Sequence, residues 1–274
     1  MNNLWISSER LETPCFDSVP LELHGHRKKL KFIWGCIAQY RHQNGLSPNQ
    51  IRVLEVGCSN GRNIAMPLAE CGYRITGIDL HLESIAYAQA HNRLGNARFL
   101  CQDLCELRKD EEFEIVVLSD ILEHVMDPAH ICRTAMQYLA KDGLVLISVP
   151  NGFGPYELEQ RFMRVARLNP VIDFTRTAIN RLLRRRIGGP AYNHDSGHIQ
   201  FFHLNEFRRL LDHVGLKVLG TSNGALFGGT LSYALANRLS FIVAASLALA
   251  DRLPQRWVST WYYCCSLREK SEWN

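Results

Sequence analysis

Apolar residues along positions 50–150 fall in short, nearly continuous runs, separated by longer stretches of mixed polarity. The runs are Val53-Leu54-Glu55-Val56, a second ending in Gly77-Ile78-Asp79-Leu80, Phe99-Leu100-Cys101-Gln102-Asp103-Leu104, Phe113 to Leu118, and Leu144 to Pro150. A strand buried on both faces reads in this way, because neither face can be polar. The stretches between them are helical in pattern and about ten to fifteen residues long, which predicts a parallel sheet with right-handed crossovers. The turn Lys141-Asp142-Gly143 opens the fifth run. Further on, the pattern predicts a helix over Leu204–Val214, a strand over Leu216–Thr221 and a last strand over Trp257–Leu267. The fold class is α/β, with one domain over 1–274.

The first loop carries the chemistry. Val56 is followed by Gly57-Cys58-Ser59-Asn60-Gly61-Arg62-Asn63, and an acid, Asp79, stands eighteen residues after Gly61. Glycines let the backbone approach a ligand closely, because a Cβ would collide with it. An acid at the end of the second strand is placed to accept ribose hydroxyls. A dinucleotide loop would read G-x-G-x-x-G, to seat a pyrophosphate. Here Gly57 and Gly61 are separated by three residues, and Glu55 would oppose a pyrophosphate with like charge. A cationic cofactor with an amino group suits that acid better.

This stretch resembles motif I of the class I S-adenosylmethionine (SAM) methyltransferases, E/D-x-G-x-G-x-G, with Ser59 at the central glycine. The resemblance is strong over about 50–150 and moderate over 198–222, and the matching segment resembles ubiquinone-biosynthesis O-methyltransferases. It implies a Rossmann-like, seven-stranded, mostly parallel sheet with helices on both faces and an antiparallel last strand. It also implies SAM as cofactor. Glu55, Gly57, Cys58, Ser59, Asn60, Gly61 and Asn63 would then shape the methionine side, with Asp79 and Leu80 at the ribose. Asp103 and Leu104 would meet adenine, and Ser119 would close the site from the fourth strand.

The sulfonium is already an activated electrophile, so the protein must supply alignment, a dry site and a base. Candidates lie where the fourth and fifth strands end. Asp120-x-x-Glu123-His124 reads as i, i+3, i+4 on one helical face, suited to a general-base cluster or to divalent-metal ligands. Plant-type small-RNA 2′-O-methyltransferases, which the segment also resembles, bind a metal there and take a further histidine from later in the chain. His198 occupies that place, so the metal set would be Asp120, Glu123, His124 and His198. The competing expectation is metal-free, with His124 as base or acceptor-orienting group. Asn151, Tyr156 and His198 are candidates for acceptor binding.

Three segments lie outside the core pattern. Residues 1–45 contain a basic amphipathic stretch over 24–43, expected to be a helical cap over the cofactor whose lysines read as a solvated face. Residues 151–200 form an insertion with eight arginines between Arg161 and Arg186 against one acid, Asp173, with a helix over Thr175–Ile187. It is expected to roof the acceptor. Residues 224–256 form an apolar helical insertion suited to packing, a lipid tail, a membrane face or a homodimer contact.

The acceptor is accordingly a small or lipid-linked molecule, with peripheral membrane contact left open. An RNA 2′-hydroxyl is the rival, as is a non-catalytic SAM-binding subunit. A net charge of only +4 argues against a general nucleic-acid binder. Nine cysteines without a C-x-x-C pair predict reduced thiols in a cytoplasmic protein, with Cys58, Cys71, Cys101 and Cys132 in or beside the core. The longest uncharged apolar stretch, Leu239–Ala250, is too short to span a bilayer.

Overall fold

The computed structural model describes residues 14, 16–19, 21–22, 24–166, 197–227, 229, 232 and 239–268 of the 274-residue chain. In chain order the elements are α1 (His26–Gln43), β1 (Arg52–Val56), α2 (Ala65–Glu70), β2 (Arg74–Asp79), α3 (Leu82–His91), β3 (Ala97–Cys101), β4 (Phe113–Ser119), α4 (Pro128–Met136) and β5 (Leu139–Pro150). They continue with α5 (Pro155–Val165), α6 (Leu204–His213), β6 (Leu216–Asn223), α7 (Ser240–Arg252) and β7 (Thr260–Leu267). The seven strands form one sheet in the order β3-β2-β1-β4-β5-β7-β6. All neighbours pair in parallel except β7, which runs antiparallel to both β5 and β6.

The continuous apolar runs are central strands because side chains alternate between two cores. Leu54, Val116, Leu118, Val145 and Ile147 enter one core with Trp261 and Tyr263, covered by α4 and α6 through Cys132, Ala135, Phe207 and Leu211. Val53, Ile115, Val117, Leu144 and Leu146 enter the other, covered by Leu30, Ile33 and Ile37 of α1, with Leu68 of α2 and Ile85 of α3. Each such aliphatic side chain stabilises the fold by about 1.5–3 kcal/mol on full burial.

Local chemistry sets the helix starts. Asp127 caps α4, its Oδ1 accepting from the His130 amide at 2.9 Å, and Pro128 sets the first turn. His81 caps α3, its side chain accepting from the Ser84 amide.

Several boundaries differ from the sequence pattern. β5 starts at Leu139, not Leu144. Phe113 pairs with Leu139 and Ile115 with Leu144, so the expected turn Lys141-Asp142-Gly143 bulges out within the strand, with Asp142 at φ 63°. β7 starts at Thr260, because Gln255–Trp257 forms a separate 3-10 turn. Cys101 is exposed, whereas Cys58 and Cys132 are buried as expected. The eight described cysteines are all free thiols. The expected helix over 175–187 and most of the arginine run lie outside the described residues. Among the described residues, no helix is long and apolar enough to cross a membrane.

Candidate active site

The glycine loop leaves β1 between β2 and β4, where the strand order reverses. Gly57 and Cys58 donate their amides to the Ile78 carbonyl at 2.8 and 3.0 Å. Gly57 has φ 73°, and a Cβ there would stand 2.8 Å from Ile121 Cδ1. Gly61 has φ 72°, and its Cβ would stand 2.6 Å from the Phe99 ring. At both positions a side chain would be strained and would have to displace its neighbour. Ser59 adopts the left-handed region at φ 48°, and its amide donates to Asp79 Oδ2 at 2.7 Å. The His81 amide donates to Asp79 Oδ1 at 2.8 Å. Asp79 is thus pinned at the strand end, with lone pairs remaining on both oxygens.

A cleft of about 440 Å³ lies over this loop, lined by Gly57, Ser59, Asp79, Leu80, Asp103 and Leu104 among others. Asp103 also caps a short turn, its Oδ1 accepting from the Cys105 amide at 2.8 Å. Glu55, Cys58, Asn60, Gly61, Asn63 and Ser119 are not part of that lining. Glu55, Cys58 and Asn60 are buried beneath the loop, and Ser119 shares a 3.0 Å hydrogen bond with Ser148. Burial pushes the Glu55 carboxyl up to about 8, against the pull of Lys29. The sequence reading did not assign Gln102, His81, Ile121, Val125 or Ile131 to the site, and they too line the wall. Gln102 stood beside Asp103 in the polar pair that ends the third apolar run. His81 carried no signal beyond following Asp79.

Asp120, Glu123 and His124 do not share a helical face. Asp120 turns the chain at φ 52°, and only Leu122–His124 make one 3-10 turn. Asp120 points to α1, where Lys29 pairs with it, and Ser148 Oγ donates to its Oδ1 at 2.7 Å. The enclosing protein disfavours its charge, but the Lys29 ammonium and the Ser148 hydroxyl outweigh this and hold it below the usual carboxylate range. Lys29 is 7% exposed, and Lys28 donates to the Gly224 and Leu247 carbonyls at 3.1 and 2.9 Å. Neither lysine belongs to a solvated face, contrary to the sequence expectation.

A second cavity, of about 160 Å³, adjoins the first and shares Asp120 and His124 with it. Its wall includes His24, His26, Lys29, Glu123, Tyr156, His198 and Tyr262. The segment before α6 closes one side, since Ile199 and Gln200 donate their amides to the Glu123 carbonyl at 2.9 and 3.0 Å. That strap sets His198 against His124, with ring centroids 5.0 Å apart. His124 Nδ1 donates to the Gly197 carbonyl at 3.2 Å, so Nε2 is the bare nitrogen. Burial lowers the His124 pKa, helped by His198. Burial also lowers His24, and it takes His26 down to about 4 with Lys29 adding to the effect. Burial, with Asp120 nearby, raises Glu123 well above the carboxylate range. Burial thus biases His24, His26 and His124 toward the uncharged form and Glu123 toward the protonated one, beside the Lys29–Asp120 ion pair in the same wall.

Ligand atoms of Glu123, His124 and His198 lie within 4.8 Å of one another, a grouping that could hold a metal ion. Glu123 Oε2 is buried and makes no hydrogen bond, an unsatisfied atom of the kind a cation would serve. Asp120, bound to Lys29, is not part of the group. Asn151 does not line the pocket either. Its Nδ2 donates to the Val258 and Arg256 carbonyls at 2.8 and 3.2 Å, and its Oδ1 accepts from Phe153 N at 3.1 Å, so its amide braces the loop after β5. His24 and His26 were noted in the sequence only as members of a basic stretch, because nothing local links α1 to β4.

Comparison with known proteins places this geometry. A family described as a methyltransferase domain matches residues 28–221. Ubiquinone biosynthesis O-methyltransferase of Rickettsia akari (strain Hartford) is 29% identical over 105 residues, covering 38% of this chain and 41% of that protein. The mitochondrial enzyme of the same name from Bos taurus is 32% identical over 117 residues, covering 40% and 31%. The match thus spans less than half the length of these relatives. Among solved structures, the plantazolicin methyltransferase BpumL, in complex with a triazolic desmethylPZN analog and SAH, has a TM-score of 0.54 at 14% identity. It covers 93% of this chain and 88% of its own. An S-adenosylmethionine-dependent methyltransferase from Clostridium acetobutylicum ATCC 824 has a TM-score of 0.51 at 12% identity, covering 88% and 92%. With the family matched over most of its length and the fold shared, this chain belongs to the methyltransferase domain family of class I SAM-dependent methyltransferases.

Proposed function

We propose that the protein moves the methyl group of SAM to a hydroxyl oxygen of a small or lipid-linked acceptor. The meeting of the two cavities at Asp120 and His124 carries this reading. The larger cleft suits the nucleoside, with Asp79 and Leu80 at the ribose and Asp103 and Leu104 at the base. Glu55 and the Gly57–Asn63 loop would form the methionine end, and Ser119 would support the floor. In the smaller cavity an acceptor O–H would face the bare His124 Nε2. The oxygen takes the methyl carbon as the carbon–sulfur bond breaks. The sulfur keeps the bonding pair, and the hydroxyl proton passes to Nε2. Tyr156 and His198 would orient the acceptor. The names of the relatives support transfer to oxygen. Calorimetric titration of S-adenosylhomocysteine (SAH) into the protein tests the cofactor site, with micromolar binding expected and no heat against the reading.

A metal-assisted form of the same reaction is the second reading, favoured by the unpaired Glu123 Oε2. Glu123, His124 and His198 would hold the ion, which would polarise the acceptor oxygen when bound. The donor set fits, although two imidazoles and one carboxylate leave the remaining positions to water and acceptor. Added magnesium or zinc should then raise the melting temperature of chelator-treated protein, and no shift with either ion returns the site to the metal-free form.

Peripheral membrane contact accompanies a lipid-linked acceptor. Phe241 is 70% exposed and Leu249 48% exposed on α7, with Trp257 59% exposed just beyond it.

A further inference from the structure

Two imidazoles face the acceptor pocket, and each is held by its other nitrogen. A carbonyl or an ionised carboxylate only accepts, so the ring nitrogen against it carries the proton. For His124 the partner is the Gly197 carbonyl. For His198 it is Glu157, whose Oε1 accepts from Nδ1 at 2.6 Å. The second bond is the shorter of the two. Glu157 is 4% exposed, enters from the first turn of α5, and is not part of the pocket lining. His198 arrives on the strap that Glu123 holds by its carbonyl. The ring is thus gripped from two elements while lining the pocket, and Nε2 is the nitrogen that Glu157 leaves over.

We infer that Glu157 is a positioning residue that fixes His198 with Nδ1 protonated and Nε2 bare in the acceptor pocket. It rests on the reading of that pocket as the acceptor site. An unrestrained imidazole in water favours the opposite tautomer, so without Glu157 the pocket would present an N–H there. With Glu157 it presents two bare ring nitrogens beside Glu123. Such a wall takes an acceptor that brings an O–H or N–H, or a cation, and disfavours one that brings only lone pairs. A carboxylate behind a histidine commonly serves to orient the ring in this way.

The test reads the tautomer directly. Protein labelled with 15N-histidine and saturated with SAH is examined by long-range 1H–15N correlation, the His198 signals being assigned by their loss in His198→Asn. The wild type should show Nδ1 protonated and Nε2 in the bare-nitrogen range. Glu157→Ala should move Nε2 into the protonated range, and Glu157→Gln, which keeps an acceptor oxygen in place, should restore the wild-type pattern. A wild-type His198 protonated at Nε2 overturns the inference, and so does a tautomer unchanged in Glu157→Ala. The wild-type spectrum alone can decide against it, should the alanine variant not fold. SAH binding in the same samples reports on the cofactor site separately. A protein that gives the expected tautomer but no SAH heat would leave the Glu157–His198 pair standing and remove the cofactor assignment.

Discussion

Asp79 accepts two backbone amides in the free protein, from Ser59 and His81. That arrangement holds both carboxylate oxygens in place at the rim of the cleft, as the proposed ribose contact requires. Asp79→Ala should weaken SAH binding by about two orders of magnitude, the loss of one or two charge-assisted hydrogen bonds at about 1.5–3 kcal/mol each. Unchanged affinity by calorimetry would remove Asp79 from the ribose. His124→Ala should leave SAH affinity intact while lowering methyl transfer from labelled SAM to a panel of small phenols by about 10²–10⁴-fold, and full turnover would end its role as base.

Glu55 makes a different, pH-dependent prediction. The unfolded chain releases this proton near pH 4.3, whereas the native residue holds it to about 8. Between those values the native state binds more protons, so stability falls as pH rises, by up to about 1.4 kcal/mol per unit. The penalty is absent below that window and complete above it. Glu55→Gln should flatten the slope of urea stability between pH 5 and 8, and an identical slope would show that Glu55 is not its source. The place of Asp79 was legible because the second apolar run stops at an acid, and the strand does end there beside the cleft. Glu55 was legible as an acid, but its protonation depends on how completely α1 and the loop bury it, which no local pattern states.

At the level of elements, α1 departs most from what its residues suggest. Its sequence is basic and amphipathic, and lysines on such a helix usually face water. Here Lys29 crosses to Asp120 at the end of β4, and Lys28 binds carbonyls at residues 224 and 247 and the Asp251 carboxylate. The helix is tied to the sheet by charge as well as by Leu30, Ile33 and Ile37. Lys29→Met should cost about 1–2 kcal/mol, less than the roughly 3–5 of a fully buried pair because Asp120 opens on the cleft. A chemical-denaturation midpoint equal to that of Lys31→Met would contradict the latch. The strands were readable because burial on both faces leaves a continuous apolar run. The Asp120–His124 segment was not. Its spacing fits a helix, but a left-handed Asp120 and one tight turn let a carboxylate meet α1 while the next residues meet the strap from 197 onward. Such pairings join residues 73 to 91 positions apart, and sequence periodicity has no access to them.

Across the whole molecule, chemistry gathers at one edge of the sheet. The C-terminal ends of β1, β2, β3 and β4 frame the larger cleft, and the loop after β5 and the α6 strap enclose the pocket beside it. Phe241 and Leu249 are exposed on α7 and Trp257 just beyond it, and Arg252 and Arg256, also exposed, lie at the end of α7 and in the turn that follows. The protein should therefore float with anionic vesicles at low salt and detach as salt rises. Phe241→Ser combined with Trp257→Ser should weaken flotation severalfold; an equal yield with the double variant would remove these two residues as the contact, and no flotation at low salt would point to a soluble acceptor.

The bulge at Lys141–Gly143 offers an experimental handle. It leaves β5 near the strand's beginning, whereas the chemistry sits at its end, and the seven steps from Gly143 to Pro150 span about 23 Å of extended chain. Lys141 and Asp142 are exposed there, outside the ladder that pairs Leu144 onward with β4. A fluorophore, an affinity tag or a surface tether attached at this point would report on or immobilise the molecule while both cavities stay open to their ligands.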